Sequence, residues 1–108
     1  MTADKFRSMA LEISGAIESS HMNHPDFRIE GRIFASLGYP DEGHGMVKLT
    51  PEEQRVFLKK APEVFSPCAG AWGRQGSTSV YLSAAKVDLL RAALEAASKN
   101  VASKKRNA

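Results

Sequence analysis

The stretch GAWGRQGST, residues 70–78, organises the second half of the chain. It holds the only tryptophan, Trp72, and three of the eight glycines, which allow backbone turns that a Cβ would resist. Because a tight loop must satisfy its own carbonyl groups, we expect Arg74 to bond to the backbone or to an acid. We also expect the Trp72 ring to be at least half buried against the sheet or a helix. In the alternative interpretation, the loop binds a ligand through Trp72, Arg74 and Gln75.

Alternating apolar residues predict strands on both sides of this stretch and in the first half of the chain. In the predicted hairpin at residues 26–37, Glu30-Gly31 can form the turn. The second strand of this hairpin places Phe34 on the face opposite Ala35. Phe34 therefore implies that this second face is covered or is used for contact. The predicted strands comprise the hairpin at residues 26–37 and the segments 46–49, 64–66 and 77–82.

Apolar stripes with helical spacing predict three helices, at residues 3–19, 51–60 and 84–102. The second has the clearest start signal, because Thr50 and Glu53 bracket Pro51 as a capping box. The third is expected to begin after Ser83 as its N-cap. The resulting order α-β-β-β-α-β-β-α predicts a two-layer α+β domain with a mostly antiparallel five-stranded sheet packed with three helices.

Composition and charge limit the possible classes of protein. The 108 residues form one predicted domain, residues 1–102, followed by a basic tail, residues 103–108. The chain has 15 Lys and Arg residues and 12 Asp and Glu residues. Without the three cations of the tail, 12 basic and 12 acidic residues remain, so the rest of the chain is neutral. No apolar run approaches the roughly 20 residues of a membrane span. The single cysteine, Cys68, excludes an internal disulfide, and with the lack of a signal-peptide layout it predicts a cytoplasmic location.

The sequence gives little support for catalysis, a cofactor or a metal. Cys68 with His24 or His44 could form a nucleophile and base, but no neighbouring cation would activate the thiol. His21 and His24 lie three residues apart, yet Pro25 disfavours a helix there and no further ligand completes a zinc set. We therefore expect a domain with no enzymatic activity, cofactor, metal or small-molecule substrate.

Four segments of the sequence are informative as a set: HPDFRI (24–29), GRIFA (31–35), VKLTPEEQ (47–54) and WGRQG (72–76). Together they resemble the MmcQ/YjbR family of small bacterial proteins, and the similarity runs from about residue 5 to residue 102. The resemblance implies a secretion-chaperone-like fold with five antiparallel strands and three helices. It also implies a double-wing shape that has been likened to DNA-binding folds, and family members are labelled DNA-binding on that basis. One departure is Ser77, where the family often has an aromatic.

DNA is the first candidate partner. Arg28 and Lys48 are expected on the outer face of adjacent strands, while Glu30, Asp41 and Glu42 oppose DNA from the same half of the chain. Any binding should thus be weak, largely independent of sequence, steeply salt-dependent, and reduced by removing residues 103–108. The candidate nucleic-acid-binding residues are Arg28, Arg32, Lys48, Trp72, Arg74 and Gln75.

The alternative partner is a protein, a peptide or a second copy of the chain. The chaperone-like fold implied by the resemblance suits a dimer that holds peptides on a sheet or helix face. Phe34, Tyr39 and Tyr81 could supply that surface, and this hypothesis needs no excess positive charge.

Overall fold

In the computed structural model, helices pack on a six-stranded antiparallel sheet. The structure describes the backbone of residues 1–106 and the side chains of residues 1–102. The strands are β1 (Ala16–His21), β2 (His24–Ile29), β3 (Arg32–Leu37), β4 (His44–Lys48), β5 (Phe65–Pro67) and β6 (Ser77–Tyr81). The helices are α1 (Ala3–Leu11), α2 (Pro51–Lys60), α3 (Gly70–Arg74) and α4 (Val87–Arg106), with a short 3₁₀ turn at Leu82–Ala84.

The core lies between one face of the sheet and the helices. The strand order is β1-β2-β3-β4-β6-β5, and α4 contacts β2, β3 and β4. Phe6 of α1 packs on Phe27 of β2, with ring centroids 6.2 Å apart, and Phe57 of α2 packs on Phe65 of β5 at 5.3 Å. The predicted α+β class and antiparallel sheet are confirmed, with six strands instead of five.

The capping box of α2 is confirmed in detail. The Thr50 amide donates to Glu53 Oε1 at 2.9 Å, and the Glu53 amide donates to Thr50 Oγ1 at 3.1 Å. These two bonds satisfy amide groups that the first turn leaves without a partner inside the helix. The helix accordingly has the predicted bounds, Pro51–Lys60.

The predicted first helix, residues 3–19, is wrong beyond Leu11. Gly15 has φ +84°, a left-handed conformation that ends any helical continuation, and the next residues pair with β2 as strand β1. Ile17, which lies within the predicted helix, is 59% exposed on this edge strand. The helical spacing of apolar residues therefore continued by coincidence into β1, the strand that the sequence did not predict.

The predicted facing of Phe34 is also wrong. The register between β2 and β3 shifts between Phe27 and Arg28, so one extra residue of β3 interrupts its strict alternation. Phe34 and Ala35, which are adjacent in sequence, are both fully buried in the core. Phe34 therefore gives no sign of a second covered face.

The last helix, α4, differs from the prediction at both its start and its end. Ser83 lies in the 3₁₀ turn and is not an N-cap, because the long helix begins four residues later, at Val87. The helical backbone continues through Arg106, past the predicted boundary at residue 102. The predicted basic tail, residues 103–108, thus begins inside α4, and its side chains and residues 107–108 lie outside the described part. None of the described helices is long and apolar enough to cross a membrane.

We predict losses of very different size for two apolar truncations, one at the buried Phe34 and one at the exposed Ile17. Phe34→Ala should lower the free energy of unfolding by about 3–5 kcal/mol, because it empties a fully buried site. Ile17→Ala should lower it by less than about 1 kcal/mol, because the side chain is already mostly in solvent. Urea unfolding of both variants measures the difference, and equal losses would contradict the placement of β1 at the sheet edge.

Candidate nucleic-acid interface

The antiparallel register gives the sheet two distinct ends. At one end Ile29 pairs with Arg32 and Lys48 pairs with Ser77, and helix α3 leads directly into Ser77. We call this the α3 end. At the other end the loop of residues 38–43 joins β3 to β4, and we call this the loop end. The candidate residues divide between these two ends and the sheet face.

A buried glutamine holds α3 against the sheet. Gln54 Nε2 of α2 donates to the carbonyl of Gly73 at 3.0 Å and to that of Ser77 at 3.1 Å, and it lies 3.2 Å from Thr78 Oγ1. The Thr78 hydroxyl in turn donates to the carbonyl of Gly76 at 2.8 Å. Sequence reasoning missed Gln54, although an amide in line with Phe57 and Ala61 on the inner side of α2 was a detectable signal.

Two glycines allow the backbone of α3 and its following turn to approach its neighbours closely. A Cβ on Gly73 would lie 1.8 Å from the Cys68 carbonyl oxygen. A Cβ on Gly76 would lie 2.0 Å from the Leu49 carbonyl oxygen, and Gly76 also has φ +111°. The expectation of a tight, glycine-dependent turn is therefore confirmed, and the backbone of residues 70–76 packs closely against neighbouring segments.

The predicted burial of Trp72 and pairing of Arg74 are both wrong. Trp72 is 65% exposed, and the guanidinium of Arg74 makes no hydrogen bond or ion pair to any side chain or backbone group of residues 1–102. The reason is that the Gly73 carbonyl already accepts from Gln54 and from the amide of Gly76, the latter at 3.1 Å. The turn does not need the guanidinium, so both large side chains project into solvent.

Arg28 is committed to a structural cluster. Its Nε donates to Asp26 Oδ1 at 2.8 Å and its Nη2 to Asp26 Oδ2 at 3.1 Å, while His21 Nδ1 lies 2.8 Å from the same Oδ2. Asp26 is fully buried, and the hydrogen bond from Arg28, opposed by burial and aided by His21, holds the pKa of this carboxyl below its usual value. Arg28 therefore compensates a buried acid and is poorly placed to contact phosphate.

The remaining sheet candidates lie at the α3 end. Arg32 is exposed at the start of β3, and its guanidinium also has no polar partner among the described residues. Lys48 is partly buried on β4. Because β3 lies between β2 and β4 in the sheet, Arg28 and Lys48 are not on adjacent strands, and that prediction is wrong. The Lys48 carbonyl accepts from Asn100 Nδ2 at 2.9 Å, which places the last turns of α4 beside this end.

The α3 end thus brings together most of the predicted nucleic-acid contacts. Helix α3 and its C-cap contribute Trp72, Arg74 and the exposed Gln75, and the strand ends contribute Arg32 and Lys48. A planar aromatic ring beside guanidinium groups can stack on bases and neutralise phosphates.

The histidines lie at the loop end. His44 Nδ1 is 2.7 Å from Asp41 Oδ1, a contact that with the Gly43 amide lowers the pKa of the Asp41 carboxyl. The rings of His21 and His24 are 6.5 Å apart across the β1–β2 hairpin. In the described part of the chain, no group of three or more His, Cys, Asp and Glu side chains could hold a metal ion. The absence of a tight zinc site stays a prediction.

Cys68 is remote from the imidazoles that could have served as its base. Its amide donates to the Ser77 carbonyl at 3.0 Å, which places the residue at the α3 end, whereas His24 and His44 are at the loop end. Burial also raises the pKa of the Cys68 thiol, which disfavours the nucleophilic thiolate. The structure does not assemble the cysteine–histidine pair that the sequence left open.

These observations define an α+β domain in which helices pack on an antiparallel sheet and a short helix presents aromatic and basic side chains at one end. The crystal structure of the Deinococcus radiodurans protein DR2400, with the family domain DUF419, has the same fold: the TM-score is 0.71 at 18% identity, covering 89% of this chain and 75% of that chain. The YjbR family model matches residues 11–99, and the chain belongs to the YjbR family. A search of curated proteins gives no match.

We predict that Asp26→Asn lowers the free energy of unfolding by about 2 kcal/mol at neutral pH, because it weakens bonds between charged groups. Since the folded-state pKa of Asp26 is depressed, its contribution is complete above the ordinary value of 3.8 and is lost as the pH falls through the folded-state pKa. The variant should therefore lose stability less steeply than the parent in acid. Urea unfolding at a series of pH values measures this, with Glu42→Gln, which removes an exposed carboxyl, as control; parallel acid profiles for parent and Asp26→Asn would contradict it.

Proposed function

We propose that this YjbR-family domain is a non-enzymatic cytoplasmic protein that binds nucleic acid, DNA in the first instance, through its α3 end. The observation that carries the proposal is the arrangement of Trp72, Arg74 and Arg32, which are all exposed at one end of the sheet. Neither guanidinium is used by any described group of the fold, so both can meet phosphate without breaking an internal bond. The single cysteine supports the cytoplasmic location.

The fold weakens the electrostatic objection that arose from the sequence. Asp41 and Glu42 lie at the loop end, and the five residues of β4 that separate the two ends span about 17 Å. This is about twice the Debye length at physiological salt, so those two acids are largely screened from a ligand at the α3 end. Asp41 is also occupied by His44 and by the Gly43 amide.

The acids nearest to the α3 end are partly engaged in structure. Glu53 belongs to the capping box, and Asp26, which lies inside β2 rather than at its α3 end, is buried between Arg28 and His21. Glu30, which also makes an internal contact, and the exposed Glu52 still reduce the local positive potential. The balance supports a small number of phosphate contacts and therefore weak, salt-sensitive binding with little preference for sequence.

We predict that binding of a fluorescently labelled DNA oligonucleotide, measured by anisotropy, weakens as salt rises, with a slope that corresponds to about two or three phosphate contacts. Arg74→Ala and Arg32→Ala should each weaken binding and reduce that slope by about one. Lys5→Ala is the matched control, because it removes an exposed cation from α1, whose N-terminus approaches the loop end. If all three variants bind like the parent, the α3 end is not the site.

The second candidate function is binding of a protein, a peptide or a second copy of the chain. It is favoured by β1, an edge strand of six residues whose last five are exposed. Tyr39 and Tyr81, 65% and 46% exposed at the loop end, could widen that surface, whereas the buried Phe34 cannot contribute. A dimer in sedimentation at micromolar concentration, together with unaltered DNA binding by Arg74→Ala, would favour this function over the first.

A further inference from the structure

Resting on the proposed function, we propose that α3 is a base-stacking platform that makes the domain select single-stranded over double-stranded nucleic acid. An unpaired base stacks on the Trp72 indole, and Arg74 neutralises a phosphate of the same strand. This goes beyond phosphate binding, because it names the form of nucleic acid and the group that discriminates it.

The exposure of Trp72 is the first observation. An indole is the largest apolar side chain, and leaving it 65% exposed forgoes most of the burial free energy that it could contribute to folding. Its neighbours in the sequence are Ala71 and Gly73, which contribute almost no side-chain surface of their own. Helix α3 therefore carries no second large apolar side chain beside the ring, as an extended peptide groove along this helix would require.

The second observation is that the backbone beside Trp72 is held by contacts on two sides. Gly73 is buried against the Cys68 carbonyl, and Gln54 ties the Gly73 carbonyl to α2. The backbone that carries the indole is thus fixed from two sides. A preorganised aromatic group loses less conformational entropy when a ligand binds, which favours a platform for stacking.

The geometry of α3 separates the two contacts. Successive side chains on a helix are rotated by 100°, so with Gly73 pointing inward Trp72 and Arg74 lie on the two flanks of the turn. A strand that crosses α3 can place a base on one flank and its backbone on the other. Gln75, exposed at the C-cap, can donate to or accept from either a base or the sugar-phosphate backbone.

Stacking explains why a single strand should be preferred. Every base has a π-face, so stacking on an aromatic side chain tolerates any sequence. In an intact duplex those faces are already covered by neighbouring base pairs, and Trp72 would gain nothing without unstacking them. With few cations at the α3 end, the stacking contribution decides which form is bound.

Trp72 is the only tryptophan, so its intrinsic fluorescence reports directly on the proposed contact. The probes are a thymidine oligonucleotide of about 12 nucleotides, within the usual single-strand site sizes, an abasic strand of equal length, and a duplex of equal length. The thymidine strand should quench the fluorescence, whereas the abasic strand and the duplex should leave it nearly unchanged at equal phosphate concentration.

Labelled thymidine strands test the variants by anisotropy. Trp72→Leu should weaken binding about 5- to 150-fold, the range that corresponds to loss of one stacked base. Trp72→Phe should retain most of the affinity because it keeps an aromatic face. Tyr39→Leu is the matched control, since it removes an equally exposed aromatic from the loop end. Circular dichroism establishes that each variant is folded.

The outcomes separate the two proposals. Duplex binding as tight as single-strand binding, or equal binding of the abasic strand, would overturn the stacking platform and leave nucleic-acid binding in place. Binding of none of the three probes at low salt would overturn both proposals. Equal losses for Trp72→Leu and Tyr39→Leu would also overturn the platform, because the effect would not be specific to α3.

Discussion

The hydrogen bonds of one buried amide, that of Gln54, hold the α3 end together. They join α2 to Gly73 of α3 and to Ser77 of β6, three segments that have no other common tether of this kind among the described side chains. A buried amide without partners would cost about 1–3 kcal/mol, so the arrangement is stable only with its acceptors in place. The same bonds satisfy the Gly73 carbonyl, and this leaves Arg74 and Trp72 without a structural task.

This constraint links stability to the proposed function. A turn held by its backbone and by a neighbouring helix can expose its large side chains without becoming disordered. The glycines act in the same direction, because Gly73 and Gly76 bring the backbone to distances from Cys68 and Leu49 that no other residue would tolerate. The stabilising contacts therefore lie under α3, and the side chains available for a ligand lie above it.

Much of the fold could be predicted from local signals in the sequence. The Thr50–Glu53 capping box and the Glu30-Gly31 turn depend on neighbouring residues, and both occur as expected. The errors arose where long-range structure decides. The left-handed Gly15 converts the end of the first apolar stripe into an edge strand, and the register shift opposite Phe27 turns Phe34 into the core.

The candidate site shows the same division. The sequence identified Trp72, Arg74 and Gln75 as a group, because they lie within four residues of one another in a glycine-rich segment. It could not show that Asp26 binds Arg28, because that bond accompanies the burial of Asp26 in the folded sheet. Nor could it show that Gln54 satisfies the Gly73 carbonyl in place of Arg74, because that bond joins two separate helices. Nor could it show that Asp41 and Glu42 lie at the far end of the sheet, which follows from the antiparallel register.

The central claim is that the α3 end is the binding surface, and amide chemical-shift mapping of the ¹⁵N-labelled protein with a short thymidine strand tests it most directly. The account predicts that the largest shifts fall on residues 70–76, on Arg32 and Lys48, and on the indole N–H of Trp72. Shifts centred on residues 38–44 or on β1, with the Trp72 indole unmoved, would contradict it.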